Sequence, residues 1–203
     1  MKKDDIRRAI RAKKALLSAA DKIDAARRVF ERLEQSAAFQ LADHILMYHY
    51  LPDELSTHEF IDRWAGRKHF FLPRVNGLNL EILPYDKSRL STGAFLIEEP
   101  DGDDTIDVHE IELIVVPGVA YDRKGNRVGR GKGYYDRLLT ESKATKVGVG
   151  YDFQLVDEID AEPHDVAVDV IITESNHIII RRRYAKEKQP VVCFNRCETG
   201  CIV

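Results

Sequence analysis

Cysteine is scarce in this 203-residue chain: Cys193, Cys197 and Cys201 are its only three, and all fall near the carboxyl end. An odd number confined to one tail cannot staple a domain, and with no histidine in that tail they lack a further ligand for a structural metal site. Their spacing of four suits one helical face, but Pro190 and Gly200 argue against a stable helix there. Long apolar runs are missing too. None approaches the ~20 residues of a membrane span, and the basic start MKKDDIRRAIRAKK lacks the apolar core of a secretion signal. Nor does one charge dominate: 31 Lys and Arg against 34 Asp and Glu leave a net −3, which gives no general attraction to nucleic acid or membrane. The expectation is a cytoplasmic monomer.

A hydrophobic content of 44% and a charged content of 32% are globular values, and the length suits one domain with a substantial core. No internal repeat and no low-complexity linker occurs before about Arg183. Residues 1–182 therefore read as one domain, and 183–203 as a loosely ordered tail.

The chain is organised around VVPGVAYDRKGNRVGRGKGYYDR, residues 115–137. An apolar strand ends at Pro117-Gly118. A loop follows in which Gly125, Gly129, Gly131 and Gly133 alternate with Arg123, Lys124, Arg127, Arg130 and Lys132. Tyr134-Tyr135-Asp136-Arg137 then opens a helix. Glycines let backbone N–H groups approach an anion, the helix start adds its positive dipole end, and the side chains add full charges. Five cations so close together would repel one another without an anionic guest, so the loop predicts a polyphosphate site. The spacing excludes a P-loop, because five residues separate Gly125 from Gly131 and Gly133 follows Lys132. A dinucleotide fingerprint fails where Tyr134 replaces its third glycine.

Around this stretch the pattern alternates. Residues 3–17 predict a helix with a thin apolar stripe, on which Lys3 and Arg7 lie one turn apart and so address the same phosphates. Ser18 and Asp21 predict a capping box for a second helix, and Ser56 and Glu59 one for a third. Glu59 is thereby explained as a cap, which leaves Glu54, in the loop after the strand HILMYHY, as the favoured ligand contact. His44 and His49 read as strand residues. KHFFLPRV and LNLEILPY predict strands joined by an Asn76-Gly77 hairpin, Arg89–Pro100 reads as irregular, and Glu98–Asp107 as a solvated acidic loop. KVGVGY, DVAVDVIIT and HIIIRR complete the strands, with Asp165 and Asp169 on one face of a strand entry. Helices alternating with apolar strands predict one layered α/β domain with a largely parallel sheet flanked by helices.

The run PGVAYDRKGNRVGRGKGYYDR closely resembles the signature of the 5-formyltetrahydrofolate cyclo-ligase (methenyltetrahydrofolate synthetase) family. Fainter likenesses follow the family's order: Lys3-x-x-Ile6-Arg7, Tyr50-Leu51-Pro52-Asp53-Glu54-Leu55-Ser56-Thr57, and Pro163-His164-Asp165 with Asp169. The resemblance spans about residues 3–174. It implies a three-layer, NagB/RpiA-like fold and an ATP- and Mg2+-dependent closure of 5-formyltetrahydrofolate to 5,10-methenyltetrahydrofolate, on substrate with or without a polyglutamate tail.

Carried onto this sequence, the resemblance implies a nucleotide site of Lys3, Arg7, Arg127, Gly129, Arg130, Gly131, Lys132, Gly133, Tyr134 and Tyr135. Arg130 and Lys132 would be the catalytic cations. Glu54, His49, Arg130 and Tyr134 would hold the folate, and Asp136 and Asp165 would support magnesium. His49 departs from the family, which has an apolar residue there. Two other classes stay open on the sequence alone: a kinase of a small acceptor sharing only the phosphate loop, and a non-catalytic module that binds folate or RNA.

Overall fold

A computed structural model of the chain describes residues 2–92 and 98–180. The cysteines and the predicted tail lie outside these residues.

The centre is a seven-stranded sheet. Its strands are β1 (His44–Leu46), β2 (His69–Asn76), β3 (Asn79–Pro84), β6 (Leu113–Pro117), β9 (Thr145–Val149), β11 (Val170–Ile172) and β12 (His177–Ile179). They lie side by side in the order β12-β11-β9-β6-β1-β2-β3. The five inner strands run parallel, while β3 and β12 close the two edges antiparallel. A parallel strand is covered on both faces and so reads as a continuous apolar run. Along β6, Leu113 and Val115 enter one core while Ile114 and Val116 enter the other, and all four are fully buried.

Helices α2 (Ala19–Glu34), α3 (Ala37–Leu41) and α4 (His58–Trp64) cover the first face through Val29, Phe30, Leu33, Phe39, Phe60 and Ile61. Helix α5 (Tyr134–Glu141) covers the second with Leu138 and Leu139. The predicted three layers are the observed ones. Helix α1 (Lys3–Lys14) packs elsewhere: Ile6 and Ile10 join Ala120, Val128 and Ile159 in a separate small core.

Several local expectations are corrected. The Ser18–Asp21 capping box forms, with both reciprocal bonds present. The Ser56–Glu59 box does not. Helix α4 begins after Thr57, whose hydroxyl donates to the Tyr48 carbonyl (3.1 Å), and exposed Glu59 pairs instead with Arg63 one turn on (3.1 Å). The hairpin turn is Gly77-Leu78, because Asn76 already pairs with Asn79; Gly77 has φ +58°, which glycine adopts at little cost. Within the stretch read as irregular, β4 (Leu90–Thr92) and β5 (Glu98–Pro100) pair antiparallel; residues 93–97 lie outside the described set. The strand predicted from Asp165 begins only at Val170.

The strand-to-helix passage is also more built than a single loop. Strands β7 (Ala120–Asp122) and β8 (Arg127–Val128) form a hairpin, joined by β10 (Leu155–Val156) into a three-stranded sheet. The buried Asp122 carboxylate ties the turn together, accepting from the backbone N–H groups of Lys124, Asn126 and Ile159. Arg123, Lys124 and Gly125 thus belong to a hairpin turn, and the phosphate-loop candidate shrinks to Gly129–Gly133.

Candidate active site

Strand β1 continues to β2 on one side of the sheet, whereas its neighbour β6 continues to β9 on the other. Open α/β sheets bind ligands at such a reversal, outside the carboxyl ends of the strands. A cleft of about 1180 Å³ lies there. The turn after β1 supplies Tyr48, His49 and Glu54, the end of β6 supplies Pro117 and Gly118, and residues 129–137 form a further wall. Every residue assigned to a site from the sequence lines this one cleft. Arg123, Lys124 and Gly125 do not.

Gly131 (φ +97°) and Gly133 (φ +69°) hold left-handed backbone, and Gly133 caps α5 without a side-chain bond. A side chain at either position is strained, which explains the alternation of glycine with cation. The cations themselves are not left to repel one another. Lys124 pairs with Glu158 (2.5 Å), Arg127 with Asp136 (2.8 Å), and Arg130 with Asp53 (2.5 Å) and Glu54 (3.0 Å). Carboxylates of the chain itself relieve the crowding that the sequence suggested an anion must relieve. Lys132 is exposed at the rim.

Arg127 lies deeper than a loop cation would. Its side chain is 4% exposed, its Nη2 donates to Asp136, and its Nε is buried with no partner among the described residues. Its guanidinium sits 5.9 Å from the Tyr135 ring centre. The Tyr135 hydroxyl is likewise buried without a partner among those residues. Burial first, then the nearby Glu54 charge, pushes its pKa upward and keeps the phenol protonated.

At Arg130, burial works against the charge, but Glu54 and Asp53 outweigh it and raise the pKa. Glu54 accepts from Arg130 Nε (3.1 Å) and Nη2 (3.0 Å) on one oxygen and from the Leu51 N–H (3.0 Å) on the other. The phosphate-loop cation and the carboxylate singled out as a ligand contact are therefore in direct contact.

Helix α1 closes the other side. Lys3 Nζ donates to both Asp165 oxygens (2.9 and 2.7 Å) and to Glu162 (2.7 Å), and Arg7 Nε donates to the Gly129 carbonyl (2.9 Å). Burial would raise the Asp165 pKa, yet hydrogen bonds from the Glu162 N–H and Lys3 carry it below the usual range. Asp169 is not beside Asp165 on a common strand face; its carboxylate accepts from the Lys146 N–H (2.9 Å) within the sheet.

Donor atoms of Glu162, His164 and Asp165 lie within 4.8 Å of one another, and Lys3 already contacts the two carboxylates. Asp136 takes its Arg127 and Val166 N–H contacts on a single oxygen. His49 stacks on Tyr50 (ring centres 5.8 Å apart) and meets His58 edge-on (5.0 Å).

Three residues escaped the sequence reading. Arg137 stacks over Tyr134 (5.4 Å) and donates to the Leu78 carbonyl (2.7 Å), docking the β2–β3 turn onto the loop. Asp53 holds Arg130, and Lys14 reaches Asp53 (3.4 Å). Lys14 stands eleven residues after Lys3, about three helical turns, so its place on the same face was readable.

Residues 1–174 match the model of the 5-formyltetrahydrofolate cyclo-ligase family. The 5-formyltetrahydrofolate cyclo-ligase of Escherichia coli is 33% identical over 132 residues, covering 60% of this chain and 72% of that one. That of Mycolicibacterium smegmatis is 46% identical over 77 residues, which is 37% of this chain and 40% of that protein. The solved 5,10-methenyltetrahydrofolate synthetase of Aquifex aeolicus superposes with a TM-score of 0.83 at 30% identity, covering 95% of this chain and 100% of that one.

Proposed function

This chain belongs to the 5-formyltetrahydrofolate cyclo-ligase family, and from that premise we propose how its cleft closes 5-formyltetrahydrofolate to 5,10-methenyltetrahydrofolate with consumption of ATP. One observation carries the reading. Arg130, from the glycine-rich loop, and Glu54, the acidic group suited to a pterin, touch across one cleft.

A formamide oxygen is a poor leaving group, so direct closure by N10 is slow. Transfer of the γ-phosphoryl group to that oxygen gives a phosphorylated imidate and ADP. N10 then attacks the formyl carbon, phosphate departs, and N10 loses its proton. The chain's task is to position the reactants and neutralise charge.

Lys132 and Arg130, with the backbone N–H groups of 129–133, hold the triphosphate and meet the charge that develops in transfer. Lys3 and Arg7 close over the nucleotide from α1. Arg127 supports this wall from within, and Tyr134 and Tyr135 offer ring faces. Glu54 accepts paired N–H bonds from the 2-amino-4-oxo ring, with His49 beside it. Magnesium, when bound, supplies further neutralisation of phosphoryl charge. Asp136 and Asp165 would hold it, since carboxylate oxygens are the hard donors that suit this ion.

The test is to mix the protein with 5-formyltetrahydrofolate, ATP and magnesium and to follow methenyl absorbance. Product should appear only with all three, one ADP per product. ATP turnover indifferent to folate would favour the kinase alternative and sink this reading.

A further inference from the structure

The Lys14 side chain is 6% exposed, and lysine is almost never buried so far without a firm partner. Its partners here are a distant ring face, the Tyr151 ring centre at 5.9 Å, and one long ion pair. Asp53 Oδ2 lies at 3.4 Å, and the Asp53 side chain is itself 45% exposed. Burial pulls the Lys14 pKa down, partly offset by Asp53 and Glu54. Stability alone gives little reason for a charge here, since buried ion pairs are often neutral or unfavourable beside a hydrophobic replacement. Fold stability does not explain the residue.

What the ammonium does is divide Asp53 between two cations. Lys14 donates to Oδ2, while Arg130 Nη2 donates to Oδ1 at 2.5 Å and, together with Nε, to one oxygen of Glu54. Nearby contacts fix the same turn: Lys22 donates to the Pro52 carbonyl (3.1 Å), and Glu54 N–H donates to the Leu51 carbonyl (2.8 Å). We propose that Lys14 is a positioning residue for the folate end of the cleft, acting through Asp53 to hold Arg130 and Glu54 in register. The inference rests on the reading of Glu54 as the folate contact.

A simple anchor for α1 would behave differently. Lys3 and Arg7 ride on the same helix, so loosening it would weaken nucleotide binding as much as folate binding. The experiment compares Lys14→Met, Lys14→Arg, Asp53→Asn and the Lys14→Met/Asp53→Asn double variant by steady-state kinetics and thermal unfolding.

Lys14→Met should keep or raise the unfolding midpoint. It should raise the KM for 5-formyltetrahydrofolate by about tenfold or more, since small displacements of positioning groups are costly, and the KM for ATP by less than about threefold, because Lys132, Lys3 and the backbone N–H groups of 129–133 still hold the triphosphate. Lys14→Arg should recover most of the loss. Asp53→Asn should show the same selective rise, and the double variant should be no worse than Asp53→Asn alone, as expected when two groups act through one contact. An unchanged folate KM in Lys14→Met or Asp53→Asn, equal rises in both KM values, or additive losses would each overturn the proposal. If Lys14→Met does not fold, Asp53→Asn and Lys14→Arg decide between the same outcomes. Absence of methenyl product from the unaltered protein would instead strike the function itself.

Discussion

Lys132 and Arg127 come from one short run of sequence, yet water reaches them very differently. Lys132 is exposed at the rim, while the Arg127 side chain is sealed against Asp136. Their substitutions should therefore separate activity from stability. Lys132→Ala should lower turnover by about a hundredfold or more and leave the unfolding midpoint where it was, read from kcat and a thermal melt side by side. Asp136→Ala removes the partner of a buried guanidinium and should destabilise the fold by about 3–5 kcal/mol, measured by urea unfolding. A Lys132→Ala enzyme with undiminished turnover would count against the phosphate assignment. At this scale the glycines and cations of 129–133 were legible from their order. The burial of Arg127 was not, because no local pattern says which loop cation will find a carboxylate nine residues on.

Among the elements, those whose signals are local follow the sequence closely. Ser18 and Asp21 bond each other's backbone at the start of α2, so Ser18→Ala should cost about 1 kcal/mol, seen as a shifted denaturation midpoint with an unchanged slope. The matching pattern at Ser56 and Glu59 failed because a distant group intervened. Tyr48 offers its carbonyl to Thr57, which sets where α4 starts. The Asp122 turn has the same origin: its carboxylate gathers the N–H groups of Lys124 and Asn126 within the turn and that of distant Ile159. Apolar periodicity located the parallel strands of the sheet, since a strand buried on both faces advertises itself. The short β7, β8 and β10 carry too few residues for any period to show.

Across the whole molecule, carboxylates tie α1 to the cleft, and that makes the tie sensitive to acid. Asp165, with Lys3 against it, and Asp53, between Lys14 and Arg130, both have pKa values below the ordinary carboxylate range in the fold. Burial pushes each upward, and the bonded cations and N–H groups prevail. A lowered folded pKa gives stability that is complete above the unfolded value, about 3.9, and is lost as pH falls through the folded one. Thermal midpoints of the protein and of Asp165→Asn should differ by a constant amount from about pH 5 to 9, and converge in stronger acid. A gap that persists there would mean that Asp165 contributes by shape alone.

The placement of α1 has a consequence for how the protein is made. All of its partners lie later in the chain: Lys14 waits for Asp53, Arg7 for Gly129, Ile6 and Ile10 for Ile159, and Lys3 for Asp165. Such long separations make its docking a late event. The nascent chain therefore carries α1 without its full set of contacts until Asp165 has been added, so this wall of the cleft closes only once most of the sheet has been synthesised.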